Sequence, residues 1–205
     1  PEKLGKQISM VRFLYMGMHP DGFEKRVLCE LTPPLGDGGR SEFWEALGRR
    51  FTGLPYQEAD LISQGNKEFI SSLFPEEDIY LALLDSRARL VLGRVGQDTR
   101  PAQHLLESIG FEYLHEVDPF DGGPHYGADL SSITVVKNTR AVVLGSPAER
   151  HQFSTNAFVG LRVDGEFRAI WTPVDDRGNE IVVPNGTLKA LQAGVGDRVF
   201  CSTVV

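Results

Sequence analysis

Two apolar runs, AFVGLRV (157–163) and EFRAIWTPV (166–174), flank the dipeptide Asp164-Gly165. This pattern constrains the chain more than any other. Glycine accepts positive φ without steric cost, so Asp-Gly between two strand-like runs predicts a tight antiparallel hairpin. The composition shifts near Thr139 toward short β segments. DDRGNE (175–180) reads as a second turn and IVVP (181–184) as a short strand. NGTLKALQ (185–192) reads as a helix of one to two turns, capped near Asn185 or Thr187, and GVGDRVFCSTVV (194–205) as a glycine turn into a final strand. Residues 139–205 are therefore expected to form a small β-barrel domain, close to the lower size for an independent core.

Residues 1–138 alternate helical and strand patterns instead. Ile8, Val11, Leu14 and Tyr15 recur at spacings of three and four, which predicts a helix over 5–17. RVLCELT (26–32) reads as a strand ended by Pro33 and Pro34. Ser41 is a helix N-cap, and Phe43, Trp44, Leu47 and Phe51 give 42–51 one apolar stripe. Further helices are expected over 66–74, 88–95 and 101–109, the last with Pro101 in its first turn and Gly110 as its stop. Periodicity leaves 79–84 open between a buried strand and a buried helical turn. Strands are expected over 111–120 and 131–138, with 121–129 as the loop between them. The fold class is α+β: a mixed sheet with helices over 1–138, then the barrel.

The chain has 205 residues with a net charge of −7, which argues against duplex nucleic acid as a partner because phosphate needs a basic face. Its two cysteines, Cys29 and Cys201, lie far apart in strand-like runs and read as free thiols in a reducing compartment. No Cys/His spacing suits zinc, so no metal is expected. No apolar run approaches the ~18–20 residues of a membrane span, and no signal peptide is visible, so the cytoplasm is the expected location.

One stretch identifies a relationship. GGRSEFWEALGRRF, ADLISQGNKEFISSLFP, ARLVLGRVGQDTRPAQHLLESIGFEY and VDPFDGGP follow one another over residues 38–124, and VVPNGTLKALQAGVGDRV follows in the tail. In order and wording they resemble the arginine N-succinyltransferase family, a branch of the GNAT acyltransferase superfamily. The resemblance implies transfer of a succinyl group from succinyl-CoA, or another acyl-CoA, to the α-amine of arginine, with no metal. It also implies that Pro1–Tyr15 is the turn and helix that follow the fourth GNAT strand. The first half of the GNAT domain is then expected on a partner, either a second subunit or another copy of this chain.

The resemblance nominates site residues. Gly5, Lys6 and Gln7, at a helix start, are candidates for coenzyme A phosphate, because free N–H groups and the helix dipole favour anions there. Asp118 and Asp121 match family positions and are candidates for a guanidinium; Asp before Gly-Gly also caps turns. Arg40 matches as a further substrate contact. Relatives generally carry a His, regarded as the proton donor, within the segment that reads Gly93–Gln97 here; Gly96 stands in its place. The Met-Arg-Gly pattern of relatives reads Leu31-Thr32-Pro33. His125, after the Asp-Gly-Gly-Pro loop, is the candidate replacement for that His. Three readings follow: a subunit of an N-acyltransferase, a non-catalytic binding or scaffolding relative, and an acyltransferase with an altered acceptor or donor.

Overall fold

The computed structural model describes residues 4–66, 68–73, 76–148, 153 and 155–203. The chain divides into two compact units, residues 1–27 with 128–205, and residues 28–127.

The first unit holds the barrel. Strands β4 (Arg140–Leu144), β5 (Thr155–Val163), β6 (Glu166–Asp176), β7 (Glu180–Val182) and β8 (Arg198–Thr203) close in the order β4-β7-β6-β5-β8. The β5–β6 hairpin turns at Asp164 and Gly165, with φ of 51° and 86° and Val163 paired to Glu166, as the Asp-Gly signal predicts. Its interior is Val142, Leu144, Val159, Leu161, Val174, Ile181 and Val199. Helix α9 (Asn185–Leu191) adds Leu188 and Leu191 to that core. It starts after Pro184 without a side-chain cap, so neither Asn185 nor Thr187 caps it. Thr187 instead shares a buried 2.6 Å hydrogen bond with Thr172.

Helix α1 (Leu4–Met18) packs in the same unit. Its buried face is Met10, Phe13, Leu14 and Met18, while Ile8 is 70% exposed. The apolar stripe is thus rotated from the predicted one, because both sets satisfy helical spacing and packing chooses between them. Leu14 reaches the barrel wall only because residue 160 is glycine; a Cβ there would stand 2.8 Å from Leu14 Cδ2. Residues 131–138 are not a strand. A 3₁₀ turn over Leu130–Ser132 leads into the short helix α8 (Thr134–Lys137). Ile133 and Val135 are fully buried in this arrangement, and Ser202 Oγ donates to the Val135 carbonyl at 2.7 Å. Burial outweighs the β preference of Ile-Thr-Val-Val.

Among the described residues, 28–127 carry six α-helices between strands. These are α2 (Glu42–Ala46), α3 (Gly48–Thr52), α4 (Tyr56–Gly65), α5 (Glu68–Leu73), α6 (Ser86–Val91) and α7 (Arg100–Glu107). The predicted 42–51 helix breaks at Leu47, with φ −123° and ψ −74°, and Phe51 is exposed. Leu81–Leu83 form a 3₁₀ turn with Tyr80 and Leu83 largely exposed, so 79–84 is neither a buried strand nor a buried helical turn.

Strands β1 (Arg26–Glu30), β2 (Glu112–Val117) and β3 (Pro124–Asp129) form a sheet in the order β1-β3-β2. The middle strand is the segment read as a loop from its glycines and proline. Leu130 N donates to Lys25 O and Leu31 N to Pro124 O, which runs β1 antiparallel to β3. Among the described residues β1 has a strand on one side only.

A candidate acidic cleft

Trp44 organises the site. Its side chain is fully buried, its Nε1 donates to Leu54 O at 2.9 Å, and its ring lies 4.4 Å from that of Phe120. Tyr56 packs on the same pair, 5.4 Å from the Phe120 ring. One indole thus fixes the start of α4 and the 118–123 loop together. Ser41 caps α2 by accepting from Trp44 N at 3.1 Å, and its hydroxyl reaches Asp121 O at 3.4 Å. Ser41→Ala is expected to cost about 1 kcal/mol, read as a fall in the urea midpoint at unchanged m-value.

The 118–123 loop is tied by its own aspartates. Asp118 Oδ1 accepts from Phe120 N at 2.8 Å, and Asp121 Oδ1 accepts from Gly123 N at 2.7 Å. Gly122 has φ of 80°, and Gly123 is pressed against β1, where a Cβ would lie 2.3 Å from the Leu31 carbonyl oxygen. The turn chemistry of Asp-Gly-Gly is therefore real. The Leu31 backbone, the Asp121 carboxylate and the Pro33 ring leave little room to relax, so Gly123→Ala is expected to destabilise by about 2–3 kcal/mol; an unchanged thermal midpoint would contradict this packing.

These elements enclose a cleft of about 660 Å³ lined by Glu30, Leu31, Thr32, Tyr56, Asp60, Ser63, Asp118, Phe120 and Asp121. Four carboxylates face it, and no lysine or arginine is among the described residues that line it. Burial pushes Asp121 up to about 6, helped by the charges of Asp118 and Glu30 and opposed by the Gly123 N–H and the Tyr56 hydroxyl. Burial, then the charges of Asp121 and Asp60, push the Tyr56 phenol up, so it stays protonated with its hydroxyl 3.5 Å from Asp121 Oδ2. Such a site suits a cation with several N–H donors.

The structure brings Asp118 and Asp121 into one cleft. Arg40 is not among the cleft's lining; its Nε lies 3.8 Å from Glu42 Oε1. His125 lies on β3 between Glu30 and Glu116 and does not line the cleft. Gly5, Lys6 and Gln7 form the first turn of α1, in the other unit; a Cβ at Gly5 would meet open space. Gly96 is held against β1's exit: its N–H donates to Thr32 O at 2.9 Å, and a Cβ would stand 2.7 Å from Pro33 O. Glu30, Asp60 and Ser63 escaped the sequence reading. Tyr56, Asp60 and Ser63 fall at i, i+4 and i+7, a polar stripe on one helix face that would have marked α4. Among the described residues no group of three His, Cys, Asp or Glu side chains is arranged to hold a metal ion, and no helix is long and apolar enough to cross a membrane.

Comparison with known proteins places the chain. A family model described as arginine N-succinyltransferase beta subunit matches residues 1–135. The chain is 35% identical over 202 residues to the arginine N-succinyltransferase of Citrobacter koseri, covering 95% of this chain and 57% of that protein. Against the one from Salmonella paratyphi B it is 33% identical over 198 residues, with the same coverage. The solved structure of arginine/ornithine succinyltransferase subunit AI from Pseudomonas aeruginosa matches with a TM-score of 0.79 at 30% identity, over 96% of this chain and 56% of that one. The chain thus spans a little over half the length of these relatives. On the family match and the shared α+β fold, the chain belongs to the arginine N-succinyltransferase family.

Proposed function

We propose that this chain forms part of an N-acyltransferase that moves a succinyl group from succinyl-CoA to the α-amine of arginine. The acidic cleft carries the reading: Asp118 and Asp121 face it together, with no lining cation among the described residues to neutralise them. In this reading they hold the acceptor's positive charge by charge-assisted hydrogen bonds. The protonated Tyr56 hydroxyl keeps Asp121 oriented. The free amine attacks the thioester carbonyl, the C–N bond forms, the C–S bond breaks, and the proton shed by the amine nitrogen ends on the departing thiolate. The first turn of α1, with Gly5 and Lys6 exposed and Gln7 half-buried, is the proposed contact for coenzyme A phosphate.

The open side of β1 supports a partner. An unpaired edge exposes a row of N–H and C=O groups, and a strand from a second subunit, or from another copy of this chain, satisfies them. The test is succinyl transfer from labelled succinyl-CoA to arginine, by this chain alone and by the assembly purified with its partner. Turnover confined to the assembly, and lost with Asp118→Asn, is the expected result. Full turnover by a monomer would remove the partner, and no succinylarginine from any assembly would remove the reaction.

One observation favours a second reading, a non-catalytic binding relative. The place where relatives are expected to carry His is Gly96, wedged against the Thr32–Pro33 backbone. Tight arginine binding by the assembly without turnover is the result that selects it.

A further inference from the structure

His125 occupies the middle strand β3 and is 15% exposed. Its Nε2 is buried without a hydrogen-bond partner and lies 3.9 Å from Glu30 Oε1 on β1. Its Nδ1 lies 3.9 Å from Glu116 Oε2 on β2. Among the described residues these two carboxylates are the charged groups within ion-pair reach of the ring.

Glu116 stands there because β2 is irregular. Glu112 pairs with Gly127 and Tyr113 with Tyr126, but Val117 pairs with Pro124. Residues 114–116 therefore share the single partner position 125. His115, inside this bulge, has φ of 58°, a strained conformation for a residue with a side chain. In the register of Glu112 and Tyr113, Leu114 would face position 125; after the shift it is Glu116. The bulge thus puts a carboxylate beside the imidazole, opposite Glu30. Glu30 in turn lines the acidic cleft, and its charge helps push Asp121 up.

We propose that His125 is a proton-linked positioning residue for Glu30. Protonated, the imidazolium draws Glu30 toward the sheet and cancels its charge. Neutral, it frees Glu30 for a cation in the cleft. Binding of a cationic ligand and protonation of His125 then compete, so ligand binding releases a proton from the ring and weakens as pH falls. This rests on the reading that the cleft takes a cation.

Two measurements on the full chain test it. The first is calorimetric titration with L-arginine at pH 5.5 and 8. His125→Gln is expected to bind several-fold tighter than wild type at pH 5.5 and equally at pH 8. Equal weakening at both pH values would mean a merely structural histidine and overturn the proposal. The second needs no ligand. The ¹³C resonance of the Glu30 carboxyl is expected to show an inflection in step with the His125 ring, lost in His125→Gln. Absence of that inflection in wild type overturns the proposal whatever arginine does. Failure of arginine to bind at either pH, with the inflection present, would instead reject the cation-binding reading of the cleft.

Discussion

Trp44→Ala is expected to destabilise the protein by about 3–5 kcal/mol, the cost of emptying a fully buried aromatic site. The indole is completely buried, and its ring closes against α3 so tightly that a Cβ at Gly48 would lie 2.2 Å from it. Its removal also strands the Leu54 carbonyl and takes away the ring that lies 4.4 Å from Phe120. Because Leu54 precedes α4 and Phe120 sits between the two cleft aspartates, stability and cleft geometry fail together. Urea unfolding followed by far-ultraviolet circular dichroism reads the effect, and Trp171 remains as a fluorescent reporter in the barrel. A midpoint shift worth less than about 1 kcal/mol would show that the indole is not the hub.

Asp121→Asn is expected to stabilise the protein while disabling the cleft. The folded-state value of about 6 lies above the ordinary 3.8, so between those values the folded protein keeps a proton that the unfolded chain has lost. Stability therefore falls as pH rises through that window, and the penalty is complete above about pH 6. At 1.36 kcal/mol per unit this amounts to roughly 2–3 kcal/mol. The asparagine removes it: a gain of about 2 kcal/mol at pH 8 and none below pH 4. Its side-chain oxygen still accepts from Gly123 N–H, so the loop persists. Cation affinity is expected to fall about 10–100-fold, the worth of one charged hydrogen bond. Thermal midpoints at pH 4 and pH 8, with arginine titrations at pH 8, check both halves. A less stable variant at pH 8 would contradict the burial argument. The trade of stability for binding is what a partly buried charge without a fixed counter-ion entails.

How much of this was legible depended on whether local chemistry or distant packing decided each segment. The β5–β6 hairpin was legible because Asp164-Gly165 fixes both turn and register. The helix over 100–107 was legible from Pro101 and Gly110. Strand β3 was hidden, since Gly122, Gly123 and Pro124 read as a loop, and the need for Gly123 is set by the Leu31 carbonyl far away in sequence. Helix α8 was hidden by β-branched residues whose burial overrides their preference. In the candidate cleft, Asp118 and Asp121 were singled out through the family pattern. Glu30 was not, because a strand residue's cleft-facing role depends on which strand lies beside it. Arg40 shows the converse: a matching position does not bring a side chain into the cleft.

The most direct test is a crystal structure of the protein with its partner and bound L-arginine. The guanidinium or ammonium group is expected between Asp118 and Asp121, within hydrogen-bond distance of both carboxylates. Arginine bound elsewhere, with the 118–123 loop facing only solvent, would contradict it.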